Sequence, residues 1–161
     1  MNAFIRDSEG AYKPAKSNEI IDLAKQIISS RLCRTEDIEI TSPTAVMQYL
    51  QLQLGAMEKE IFGAMFLDTR HRLIEFKKLF YGTIDGASVH PREVVKRSLQ
   101  VNAAAVIFSH NHPSGVAEPS QADIQITGRL KSALALVDVR VLDHIVVAAG
   151  DCVSLAQRGH L

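Results

Sequence analysis

The spacing of apolar positions divides the chain into segments of two kinds. Ile20, Ala24, Ile27, Ile28 and Leu32 recur along one face of a helix, with Ser17 or Asn18 ahead of them as a cap. Val46, Met47, Leu50 and Leu54 repeat that spacing after Ser42-Pro43, an N-cap followed by proline at the first helical position, and Gly55 marks the stop. The period then shortens. Residues Glu60 to Leu67 and Arg72 to Phe76 read as two strands joined through Asp68-Thr69-Arg70-His71, a hairpin. Leu79 to Ile84 either continues the second strand or bends away from it. A third helix opens at His90-Pro91-Arg92-Glu93 and carries Val94, Val95, Ser98 and Leu99 on one side. The unbroken run Ala103 to Phe108, leading into Ser109, predicts a buried strand, because it is short and bounded by polar and turn residues. A fourth helix starts near Ser120 and shows Ile126, Leu130, Leu134 and Val137 at helical spacing. Strands at 139–147 and 152–155, separated by the turn Gly150-Asp151, close the chain. A short strand is expected at Ile38 to Ile40, and a loose polar arm over residues 1 to 16.

Helices and strands alternate without internal repeat, which predicts an α/β sandwich built on a mixed sheet. The hairpin supplies antiparallel pairing, and the helix before strand 103–109 supplies a crossover. The hairpin edge at 61–76 is expected to be exposed and able to pair with another chain, so a homo-oligomer is one expectation.

Composition narrows the function classes. An apolar fraction of 47% and a charged fraction of 22% are those of a soluble globular protein. Acidic and basic residues balance at 18 each, so bulk charge draws the chain neither to nucleic acid nor to an anionic membrane. The apolar runs are shorter than a membrane span, and the first ten residues lack the apolar centre of a signal peptide. Cys33 and Cys152 lie far apart in no metal spacing and read as reduced thiols, which suggests a cytoplasmic protein.

Chemistry concentrates at Ser109-His110-Asn111-His112-Pro113-Ser114-Gly115 and Ser120-Gln121-Ala122-Asp123. His110 and His112, two apart at the end of a strand, face the same side, with Asn111 facing away. Asp123 follows eleven positions after His112, in the first turn of the next helix. Two imidazoles and a carboxylate make three ligands for a divalent ion and leave a fourth position for water, the pattern of a catalytic site. The bland alternative is that Ser120 and Asp123 only form a capping box.

The spacing His-x-His, seven residues, Ser-x-x-Asp resembles the signature of JAMM (MPN-type) metalloproteases. The chain is further identified as a member of the RadC family by Glu60-Ile61-Phe62 with Leu67-Asp68, Gly82-Thr83, Val89 to Glu93, His110 to Gly115, Glu118-Pro119-Ser120, Leu142-Asp143-His144 and Val153-Ser154. The resemblance implies a three-layer α/β sandwich of JAMM/MPN, cytidine-deaminase-like architecture over residues 41–161, preceded by an arm and helix over 1–40. It implies a zinc metallohydrolase cleaving a peptide or isopeptide bond of a protein substrate. In that reading His110, His112 and Asp123 hold Zn²⁺, Glu60 is the general base with Glu58 as its alternative, and Ser120 donates to the oxyanion. His90 and Arg92 are expected near the cleft, and Asp143-His144 offers a carboxylate to back a ligand histidine or else a pair bonded to itself. His71 and His160 read as turn and tail residues. The family name carries a second reading, a DNA-repair or recombination accessory, in which Lys77, Lys78, Arg92, Lys96 and Arg97 contact phosphate. Longer relatives carry a helix-hairpin-helix domain that residues 1–40 do not resemble, so the chain looks like the short stand-alone form.

Overall fold

A computed structural model of the chain describes residues 4–6, 10–33, 43–82 and 88–161, with the backbone alone over 28–33. The expected strand at 38–40, the cap Ser42, the stretch Thr83-Ile84 and the side chains of Ile28, Leu32 and Cys33 lie outside the described residues.

The elements are β1 (Phe4–Arg6), β2 (Tyr12–Pro14), α1 (Ser17–Cys33), α2 (Pro43–Leu54), β3 (Ile61–Leu67), β4 (Leu73–Tyr81), α3 (Pro91–Gln100), β5 (Ala105–Asn111), α4 (Gln121–Ala135), β6 (Arg140–Ala148) and β7 (Asp151–Ser154). Five strands form one sheet in the order β4-β3-β5-β6-β7. β3 runs antiparallel to both β4 and β5, β5 and β6 are parallel, and β7 returns antiparallel to β6. This is the mixed sheet expected from the sequence. Parallel neighbours require a crossover, and α4 supplies it for β5 and β6. α3 makes the longer one, from β4 over β3 to β5.

Alternation along the strands sorts the core into two layers. Ile61, Met65 and Leu67 of β3, with Ala105 and Ile107 of β5, pack against Val46, Tyr49, Leu50 and Leu54 of α2. Their neighbours Phe62, Ala64, Phe66, Val106 and Phe108 pack against Val94 of α3 and Leu130 and Leu134 of α4. All seven residues of β3 are buried, as a strand covered on both faces requires. Gly63 permits the tight pairing with β4, since a Cβ there would meet the Phe76 ring at 2.9 Å.

Several expectations are corrected. The arm pairs β1 with β2 as a small antiparallel ribbon, turned at Gly10, whose φ of +89° an L side chain rarely adopts. Ile20 and Ile27 of α1 are exposed, and of the described stripe only Ala24 is half-buried. α1 touches α2 and β4 but does not lay its full stripe on them. In α3 it is Val94 and Ser98 that are buried while Leu99 is exposed. Ser98 tolerates burial because its hydroxyl donates to the Val94 carbonyl at 2.9 Å. The hairpin does not offer an edge along its whole length, because β3 lies between β4 and β5. α4 ends before Val137. Cys152 is a half-buried free thiol, pushed by burial and the Asp151 charge to a pKa of about 11.

The end of β5 ties this sheet to the segment before β3. Asn111, 2% exposed, faces the α2 layer. Its Oδ1 accepts from Ile61 N at 2.9 Å, and its Nδ2 donates to the carbonyls of Met57 and Lys59 at 3.2 and 3.0 Å. These bonds bracket Glu60. Replacing Asn111 by Ala orphans one buried donor and two carbonyls, so Asn111→Ala is expected to lower unfolding stability by about 3 kcal/mol, read from urea denaturation. A change inside experimental error would mean that the bracket contributes nothing.

Candidate metal centre

His110 shares the face of Phe108 and Val106, directed toward the α3–α4 layer. The backbone continues its pairing one residue past β5, with His112 N donating to Val147 O at 2.8 Å, and this returns the His112 side chain to the same face. The loop then turns at Gly115, with φ of +85°, and brings the Val116 carbonyl within 2.8 Å of His112 Nδ1. A carbonyl only accepts, so Nδ1 carries the proton and His112 Nε2 holds a lone pair.

Asp123 reaches the same point from the first turn of α4. Ser120 and Asp123 do form the capping box: Asp123 N donates to Ser120 Oγ at 3.2 Å, and Ser120 N donates to Asp123 Oδ2 at 2.7 Å. The box and the metal reading turn out to be compatible. Oδ1 stands 3.2 Å from His110 Nε2, Oδ2 3.7 Å from His112 Nε2, and the two Nε2 atoms are 2.9 Å apart. A tetrahedral zinc with bonds of about 2.0–2.1 Å holds its ligands about 3.4 Å apart, and these separations bracket that value. His110, His112 and Asp123 therefore form a group that can hold a metal ion.

The electrostatics agree with a cation-seeking cluster. Burial opposes the charge on Asp123, yet the His110 and His112 rings beside it and the Ser120 hydroxyl hold its carboxyl far below the usual range. The Asp123 carboxylate beside it raises His112 against the effect of its own burial. Behind them, His144 is fully buried, and burial followed by the nearby His110 holds it well below the ordinary histidine value, hence neutral.

A cavity of about 790 Å³ opens over the cluster. Glu60, half-buried, lines it; Glu58 is exposed and does not. Ser120 also lines it, but its hydroxyl donates to Asp123 Oδ2 at 2.6 Å and does not point into the cavity. His90 and Arg129 also line it, while Arg92 is exposed and does not. His90 stands at the N-cap of α3 without a capping bond and packs its ring edge against Phe80.

The Asp143-His144 pair divides its work differently from the expectation. It is the His144 imidazole that backs His110, at 2.8 Å from Nδ1. The Asp143 carboxylate accepts from its neighbour's amide, from Ser154 Oγ and from Ala156 N, and so holds the end of β7. His71 sits in the hairpin turn beside Arg140, and His160 is exposed. The basic residues are dispersed: Arg97 forms a two-pronged pair with Glu75, and the Lys78 ammonium turns to Met57 Sδ at 3.6 Å. Two residues of the centre escaped the sequence reading, Asn111 as a bracket for Glu60 and Thr127 behind His144. Thr127 lies four residues after Asp123, on the same helix face, and that spacing was the available signal.

A mixed sheet with helices on both faces, and a His-His-Asp group at the carboxyl end of a central strand, define a JAB-type domain. The model of the RadC-like JAB domain matches residues 40–160, and the chain belongs to that family. It is 57% identical over 152 residues to a UPF0758 protein of Methylibium petroleiphilum, covering 94% of this chain and 68% of that one. It is 57% identical over 147 residues to a UPF0758 protein of Vibrio cholerae, covering 91% of each. A UPF0758 protein of Marinobacter nauticus is 51% identical over 150 residues, 93% of this chain and 66% of its own length.

If the three groups act as one site, truncating one removes it. His112→Ala, which deletes a partly buried ring just past the end of β5, is expected to abolish stoichiometric zinc binding, read by elemental analysis after dialysis. Retention of the wild-type zinc content would remove His112 from the site.

Proposed function

We propose that this protein is a zinc-dependent hydrolase that cleaves an amide bond, peptide or isopeptide, in a protein or peptide substrate. The observation that supports it is the convergence of two imidazole Nε2 atoms and one carboxylate at the floor of a cavity that Glu60 also lines. Nitrogen and oxygen donors at a small, three-ligand site favour Zn²⁺. Such an ion supplies Lewis acidity, making water a nucleophile near neutral pH and polarising the scissile carbonyl.

The chain's own residues carry the protons. Glu60 accepts one from the attacking water as its oxygen bonds to the carbonyl carbon, then delivers it to the leaving nitrogen as the carbon–nitrogen bond breaks. Asn111 steadies this base by gripping the backbone on both sides of it. Ser120 can serve the oxyanion only by turning its hydroxyl away from Asp123. That rotation leaves Oδ2 with the Ser120 backbone N–H, so the carboxylate keeps a donor and α4 keeps part of its cap. Membrane attachment through a spanning helix has no support, since no helix among the described residues is long and apolar enough. The DNA-accessory reading draws little from the surface, because two of its basic residues are engaged on separate faces of β4.

A peptide-library screen with and without a chelator tests the reaction class. Chelator-sensitive amide cleavage is expected, and Glu60→Gln is expected to keep its zinc while losing about 10²–10⁴ of the turnover. Glu58→Gln is expected to behave as wild type. Full activity in Glu60→Gln would place the base elsewhere.

A further inference from the structure

A chain of buried contacts runs behind the metal-facing atoms. His110 Nδ1 lies 2.8 Å from His144 Nε2, His144 Nδ1 lies 2.5 Å from Thr127 Oγ1, and Thr127 Oγ1 lies 2.5 Å from the backbone oxygen of Asp123. His110, His144 and Thr127 are 1%, 0% and 1% exposed, so water cannot relieve a mismatched link. The rings of Phe62 and Phe108 pack around His144 and those of Phe62 and His112 around His110, which restricts ring flips.

The far end of this chain sets the direction of every proton in it. The Asp123 carbonyl can only accept, so the single hydroxyl hydrogen of Thr127 goes to it. Thr127 Oγ1 is then an acceptor, and the proton of neutral His144 sits on Nδ1. His144 Nε2 is left with a lone pair and accepts from His110 Nδ1–H. His110 Nε2 is thereby bare, facing His112 and Asp123. The reverse order would place two oxygens 2.5 Å apart with no hydrogen between them, and would end with a proton on His110 Nε2 in the place of the ion.

We propose that Thr127 is a positioning residue for the metal centre: by donating to the Asp123 carbonyl, its hydroxyl fixes the tautomers of His144 and His110 and presents the His110 Nε2 lone pair. The circuit starts at one ligand and ends on the backbone of another, and the same hydroxyl ties α4 to His144 on β6. This inference rests on the metal-binding reading above, but its first test does not need an ion.

Nitrogen-15 spectra of the metal-free protein, recorded above the ordinary histidine pKa, report which ring nitrogen carries each proton. Protons on Nδ1 of both His110 and His144 are expected; a proton on His110 Nε2 overturns the proposal whether or not the protein binds zinc. Zinc affinity by chelator competition is the second readout. Thr127→Val is expected to bind about 10–100-fold more weakly, with Thr127→Ser restored toward wild type because it keeps the hydroxyl. Wild-type affinity in the valine variant, or equal loss in the serine variant, would overturn it. Wild-type protein that binds no zinc would contradict the proposed function, while the tautomers would still decide the relay.

Discussion

A pleated strand sends neighbouring side chains to opposite faces, and at the end of β5 that constraint does two jobs at once. His110 goes to the α3–α4 side and enters the candidate centre. Asn111, next to it, goes to the α2 side and grips the backbone around Glu60 through three hydrogen bonds. A candidate metal ligand and the fixation of the candidate base thus issue from consecutive residues of one buried strand. Slipping β5 by one residue against β3 would exchange the two faces. The pairing Phe62↔His110 and the burial of both strands on both sides make that slip very costly.

Asp123 shows how local helix chemistry and a site can share one group. A capping box needs a carboxylate at the third helical position, folded back over the helix start. Folding it back also brings Oδ1 to His110 and Oδ2 toward His112. Ser120 holds the carboxylate through both its amide and its hydroxyl, so the candidate ligand is oriented by the fold itself. Preorganisation of this kind lowers the cost of assembling a site.

Much of this was legible in the sequence. Unbroken or alternating apolar runs located β3, β5 and β6, because strands buried on both faces leave few polar interruptions. The spacing of His110, His112, Ser120 and Asp123 placed those groups near one another, since it couples a strand end to the next helix start. Elements with weak burial were read less well. α1 carries helical spacing in Ile20 and Ile27 yet leaves both exposed, because spacing tells which residues share a face and not what covers it. Ser98 and Leu99 were expected on one side of α3, but only Ser98 is buried, its hydroxyl satisfied within its own helix, while Leu99 is exposed. The contacts of Asn111, Thr127 and His144 cross from strand to turn or helix, and a linear pattern holds no record of such partners.

The proposed centre places one divalent ion between His110, His112 and Asp123. Anomalous diffraction collected at the zinc edge, from crystals of protein supplied with zinc, tests it most directly. A single strong peak is expected between His110 Nε2, His112 Nε2 and the Asp123 carboxylate, at the cavity that Glu60 lines. A zinc peak elsewhere, with those three side chains unliganded, would contradict it.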